Sequence, residues 1–179
     1  MDDICLIDFG EVFKVSEPPE DLGIPTAYCS PELLLDKKAG VPSDIWALAC
    51  TIFEIISGEP LFPDQFGDGQ DVIIQWVQLL GRMPDEWWET WEARATFFDE
   101  EGSPLDEKAM KTSFEGIFEE GLTVMEGINR VKKTLKVPQS ERGQLADLLS
   151  KILRYDPKER PTVEEILKHD YWKSKIGQV

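Results

Sequence analysis

The chain has 179 residues, with 35 acidic and 19 basic side chains and a net charge of −16. Its 41% apolar and 10% aromatic content can build one globular core and argues against disorder throughout. The acidity argues against a surface made to neutralise nucleic-acid phosphates, and no apolar run approaches the ~20 residues of a membrane span.

In chain order, Ile4-Cys5-Leu6-Ile7 reads as a short buried strand ending in a turn at Asp8-Phe9-Gly10. The acidic start MDDICLIDFG lacks the basic region of a signal peptide. Cys5, Cys29 and Cys50 follow no metal-binding spacing and read as free thiols of a reducing compartment. The chain therefore reads as a soluble intracellular protein of the cytoplasm or nucleus. Residues 11–31, with Pro18, Pro19, Pro25 and Pro31, cannot hold a long helix and read as a long loop.

Residues 43–57 then give an apolar helix interrupted only by Thr51 and Glu54, with Ser43 or Asp44 as its cap and Gly58 past its end. So apolar a helix is expected to be buried on nearly every side as the central post of the fold. Val72, Ile73, Trp76, Val77 and Leu80 predict a second helix over 71–80, and Leu145, Leu148, Leu149, Ile152 and Leu153 a third over 141–154. Thr162 and Glu165 have capping-box spacing and open a fourth, continuing to His169. Between the second and third helices lies an acidic stretch, 84–138, whose Trp87, Trp88, Trp91, Phe97 and Phe98 are expected to pack onto the body. The fold class expected is mainly α, with too few strands for a sheet layer.

Four motifs carry more than secondary structure. Asp8-Phe9-Gly10 is followed by Tyr28-Cys29-Ser30-Pro31-Glu32, by Ser43-Asp44-Ile45-Trp46, and by Asp156-Pro157-Lys158-Glu159-Arg160-Pro161. In this order they resemble the C-terminal lobe of a eukaryotic protein kinase, and the resemblance covers essentially the whole chain. It divides residues 1–179 into a strand with the DFG motif (1–10), an activation segment (11–32), the central helix (43–57), an insert (84–138) and C-terminal helices (139–179).

The resemblance implies roles. Asp8 would hold Mg²⁺ beside the phosphates of ATP, because the transferred phosphoryl group carries charge that the metal neutralises. Phe9 and Gly10 would complete that cofactor-binding turn. Glu32 and Arg160 would form a structural ion pair, and Asp44 would hold the backbone of the catalytic loop. Pro25, Thr26 and Tyr28 fall where a kinase binds its substrate. Pro25 stands where active kinases usually carry threonine, and Cys29 where the CMGC group usually has arginine. Ser16 is the one phosphorylatable residue of the early loop, so switching there has little support.

The insert resembles that of CMGC kinases, most of all SR-protein kinases and their fungal-type relatives. Residues 1–83 carry a net −11, residues 84–126 a net −10 and residues 127–179 a net +5. An acidic groove near the insert would suit arginine-rich protein substrates; equally, the acids form a solvated surface.

The 179 residues contain no catalytic H-R-D loop, β3 lysine or glycine-rich loop; the lone histidine is His169, and Gly67-Asp68-Gly69 fails the glycine-loop pattern because Val72 stands where a glycine is needed. The resemblance thus implies a lobe truncated before the DFG motif, whose N-lobe and catalytic loop lie upstream, in a separate portion, or were lost. Alone it is expected not to transfer phosphate. Three readings stand at this point: part of a Ser/Thr kinase, a pseudokinase-like module whose acidic groove holds a basic partner, or a truncated remnant.

Overall fold

The computed structural model describes residues 5, 7–19, 22–106, 112–126 and 131–176. Its axis is α2 (Val41–Ser57). Gly40 precedes it, Pro42 sits in the first turn where its missing N–H costs nothing, and Gly58 (φ 75°) closes it in the left-handed conformation. The helix thus starts earlier than expected, and neither Ser43 nor Asp44 caps it: the Ser43 hydroxyl donates instead to Glu32.

Trp46, Ala49, Cys50, Ile52 and Phe53 of α2 are buried. Trp46, with 0% exposure, stacks on Phe62 at 6.0 Å and meets Trp76 of α3 (Gln70–Leu80) edge-on at 5.6 Å. A buried aromatic of this size removes about 150–250 Å² from water, or about 4–6 kcal/mol of gross transfer energy. Burial on nearly every side is nevertheless corrected. Asp44, Leu48, Thr51 and Ile55 lie at i, i+4, i+7 and i+11 and are exposed, Ile55 by 79%. Apolar content says which residues could be covered; only neighbouring elements cover them, and none of the described residues buries this stripe.

On the other faces, α6 (Phe114–Glu120) brings Phe118 to 6.3 Å from Phe53. Helix α7 (Gln139–Ile152) buries Leu145, Ala146, Leu148, Leu149 and Ile152 in the same core, ending two residues before the predicted limit. The fourth helix splits into α8 (Val163–Leu167) and α9 (Asp170–Ile176). The Thr162–Glu165 capping box starts α8, but His169 falls in the break, correcting the expected continuation.

Four short helices escape the periodicity argument: α1 (Pro31–Asp36), α4 (Asp85–Trp88), α5 (Arg94–Phe97) and α6. The acidic stretch packs through Trp88, Trp91 and Phe98, whose ring centroids lie 5.9–6.3 Å apart, while Phe97 stays on the surface. The Arg82 guanidinium covers the Trp88 ring at 5.0 Å. Gly102 (φ 77°) lets the chain pass Arg82 so closely that an added Cβ would sit 2.7 Å from Arg82 Cβ.

An antiparallel hairpin, β1 (Leu122–Glu126) and β2 (Val131–Leu135), pairs Leu122 with Leu135 through Glu126 with Val131. It is a ribbon rather than a layer, so the fold class stays mainly α, with helices ranged around α2. The strand expected before Asp8 is corrected where it can be seen. Cys5 and Ile7 carry no strand pairing, since a strand needs a partner edge, and Ile4 and Leu6 lie outside the described residues. Glu20 and Asp21 of the loop, and residues 107–111 and 127–130 of the 84–138 insert, lie outside them too. No helix among the described residues is long and apolar enough to cross a membrane.

Candidate functional site

Two clusters hold the residues singled out from the sequence, other than Asp8, Phe9 and Gly10. The first lies where the loop 11–31 enters α1. Arg160 follows a short 3₁₀ turn, Pro157–Glu159, which Asp156 caps by accepting the Lys158 N–H. That turn aims the guanidinium inward, leaving the Arg160 side chain 1% exposed. Its Nη1 and Nη2 donate to Glu32 Oε1 and Oε2, both at 2.7 Å, in a bidentate fork. Nη1 also donates to the Pro42 carbonyl at 2.8 Å and Nε to the Arg154 carbonyl at 2.9 Å. Glu32 Oε1 takes a further hydrogen bond from Ser43 at 3.0 Å, and the guanidinium lies 5.0 Å over Trp46.

Every strong donor and acceptor of this buried pair is therefore met. That matters because two charges taken out of water are tolerated only when their hydrogen bonds are replaced. The cluster ties α1, the start of α2 and the segment after α7 at one point. From the sequence Ser43 reads only as a helix cap, and its pairing with Glu32 carries no sequence signal.

The second cluster lies around the 3₁₀ turn Thr26–Tyr28. Pro25 supplies its first carbonyl to Tyr28 N–H, and Thr26 supplies the next to Cys29 N–H, both at 3.0 Å. The Tyr28 hydroxyl donates to Glu54 of α2 in a short hydrogen bond. This bond chiefly, with burial and the Glu54 charge adding, pushes the Tyr28 pKa up to about 12. Sequence reasoning misses Glu54 as a site residue, though its signal is present: it is the lone acid within the apolar run of α2. Burial likewise pushes the Cys50 thiol, one turn earlier, up to about 12.

Pro25, Tyr28 and Asp44 meet along one cavity of about 330 Å³, walled also by Phe13, Ile24 and Thr51. Thr26 instead faces Gly69, where an added Cβ would lie 3.6 Å from its methyl. Asp44 reaches the cavity from the exposed stripe of α2.

Asp8, Phe9 and Gly10 are not drawn into either cluster. Asp8 adopts a left-handed backbone (φ 62°), Phe9 is 65% exposed, and the turn is closed by Val12 N–H donating to the Phe9 carbonyl at 3.2 Å. The Asp8 carboxylate has the hard-oxygen chemistry that Mg²⁺ takes. Among the described residues, however, no group of three or more His, Cys, Asp or Glu side chains is placed to hold a metal. One exposed carboxylate does not form such a site, and the described residues carry no chemical step through Mg²⁺ or ATP.

The helical lobe and the motif series it places define a class. Residues 1–172 match the protein kinase domain, and the chain belongs to that family. Its relatives are of the CMGC type. It is 32% identical over 154 residues to the serine/threonine-protein kinase SKY1 of Saccharomyces cerevisiae, covering 84% of this chain and 19% of SKY1. It is 30% identical over 172 residues to the serine/threonine-protein kinase AFC3 of Arabidopsis thaliana, covering 96% of this chain and 41% of AFC3. With the dual specificity protein kinase CLK1 of Mus musculus it shares 26% over 170 residues, 95% of this chain and 33% of CLK1. The chain thus spans between about a fifth and two-fifths of these relatives.

Proposed function

We propose that these residues form the C-terminal lobe of a serine/threonine protein kinase. Joined to a portion carrying the glycine-rich loop, the β3 lysine and the H-R-D loop, the lobe would serve transfer of phosphate from Mg·ATP to protein hydroxyls. The observation that carries this reading is the ordered motif series within a domain match running from residue 1 to 172. In it Asp8 would supply a metal ligand, with Phe9 and Gly10 shaping its turn. Asp44 would meet the catalytic loop at the cavity it shares with Pro25 and Tyr28, and that cavity, with Thr26 beside it, would receive the substrate backbone. Glu32 and Arg160 have a structural part: they hold the end of the activation segment onto the body.

Arginine-rich protein substrates suit the acidity of residues 84–126, net −10. The test is phosphate transfer to an Arg/Ser-repeat peptide by the protein in a form carrying the H-R-D loop. Transfer lost on Asp8→Ala supports the reading; the same rate with Asp8→Ala overturns it. The 179-residue chain by itself is expected to give no transfer above a protein-free blank.

A second reading, a pseudokinase-like module that holds a basic partner, draws on Pro25 and Cys29 standing where active relatives use other residues. Salt-sensitive binding of the Arg/Ser peptide, together with no transfer by the form carrying the H-R-D loop, would favour it.

A further inference from the structure

The acidic chain carries its only net positive third at the C-terminal end, residues 127–179 with net +5. There, between α7, the turn 157–161 and α8, lies a pocket of about 630 Å³. It is separate from the cavity of Pro25, Tyr28 and Asp44 and shares no residue with it. Its floor is apolar: Leu148 and Ile166 are buried core residues.

The charges on its walls divide into satisfied and unsatisfied sets. Asp147 accepts from Lys151 at 2.6 Å and pairs with His169 Nε2 at 2.8 Å, which hold its carboxyl below the ordinary range. Glu165 closes the capping box with Thr162, and Asp170 pairs with Lys173 at 2.7 Å. Arg160 is turned inward to Glu32.

What remains facing the pocket is Arg154, Lys158 and Lys168, all exposed, none with a side-chain hydrogen bond or ion pair to the described residues. Lys168 lies within the longer-range field of Glu165. Against these three cations stand two carboxylates without a cationic hydrogen-bond partner, Glu159 and Glu165, the second keeping its charge within the capping box.

We propose that this pocket takes a phosphoryl group carried on a peptide. A phosphate monoester brings about −1.5 to −2 charges and three acceptor oxygens, which answers three cations, where a carboxylate brings a single charge. Arginine and lysine donors form the strong, charge-assisted class of hydrogen bond with such a group. The volume falls within the ~300–1,000 Å³ of ligand sites and is far larger than a phosphate ion needs, so the residues flanking the phosphorylated one have room over Leu148 and Ile166. A nucleic-acid strand fits less well, because its further phosphates would run into the negative field of residues 1–126.

The test titrates the full chain calorimetrically with a capped, otherwise neutral Ala-Ala-phosphoserine-Ala-Ala peptide, its unphosphorylated twin and inorganic phosphate. The phosphopeptide is expected to bind at least about tenfold more tightly than either control, and more weakly as salt rises. Arg154→Ala, Lys158→Ala and Lys168→Ala combined should lose at least about tenfold in affinity, while Lys136→Ala, outside the pocket's lining, should keep it. All these residues are exposed, so thermal melts should show both variants folded. Equal affinity for the two peptides, inorganic phosphate binding as tightly as the phosphopeptide, or a triple variant that binds as before would each overturn the proposal.

Discussion

The DFG segment and the body around α2 belong to one motif series yet stand in opposite physical settings. Around α2, Trp46, Trp76 and Phe62 are closed from water, and the Glu32–Arg160 pair is met by Ser43, by three backbone carbonyls and by an aromatic face. In residues 7–19, Ile7, Phe9, Val12 and Val15 face solvent, held by little beyond local turns such as Glu17 N–H to the Lys14 carbonyl at 2.8 Å. The difference separates residues whose burial holds the body together from residues that the described structure leaves on its surface. It follows that substitutions in the two regions should be felt by different measurements.

The largest effect is expected from Arg160→Ala, which strands a buried carboxylate and releases the Pro42 and Arg154 carbonyls. Loss of about 3–5 kcal/mol is expected, read as a large fall in melting temperature. A double-mutant cycle with Glu32→Ala should show the pair's coupling, with the double variant costing well under the sum of the singles. Gly102→Ala follows, at about 1–3 kcal/mol, because the left-handed backbone and the Arg82 side chain both resist a methyl group there. Thr162→Ala should cost about 1 kcal/mol by opening the capping box, with Thr162→Ser largely restoring it.

A subtler effect concerns alkaline pH. Tyr28 has its pKa raised from 10.0 to about 12 when folded, mainly by the bond to Glu54. The stability this contributes is complete below the unfolded value and is lost as pH rises through about 12. Cys50, raised from 9.0 to about 12, titrates over an overlapping window. Urea midpoints should therefore fall as pH climbs above about 9, and Tyr28→Phe should flatten that slope without abolishing it. A slope unchanged in Tyr28→Phe would show that the hydrogen bond to Glu54 is not what couples this turn to α2. Smallest of all, Asp8→Ala and Phe9→Ala should move stability by no more than about 0.5 kcal/mol, as exposed residues outside the core.

What the sequence makes legible follows the same division. Helices α2, α3 and α7 could be read because one buried face repeats at helical spacing over three turns or more. Helices α1, α4 and α5 are too short to show a period, and their limits come from neighbours: Trp87 of α4 is fixed by donating its Nε1–H to Asp36 of α1 at 2.9 Å. Ser43 misleads as a cap because a tertiary partner, Glu32, outcompetes the local backbone for its hydroxyl. Glu32 and Arg160 are 128 residues apart, so no periodicity joins them; only the motif resemblance puts them side by side. The exposed stripe of α2 reads as core for the same reason that the strand before Asp8 reads as a strand. Both are apolar patterns, and a pattern does not say whether its covering partner is at hand.

The most direct test measures both regions in one experiment, on these residues joined to a portion carrying the H-R-D loop. Phosphate transfer to an Arg/Ser-repeat peptide and thermal unfolding would be followed together for Asp8→Ala and Arg160→Ala. The expected result is that Asp8→Ala abolishes transfer with its melt unchanged, whereas Arg160→Ala lowers the melt steeply. Undiminished transfer with Asp8→Ala, or an unchanged melt with Arg160→Ala, would contradict the division of roles between the two regions.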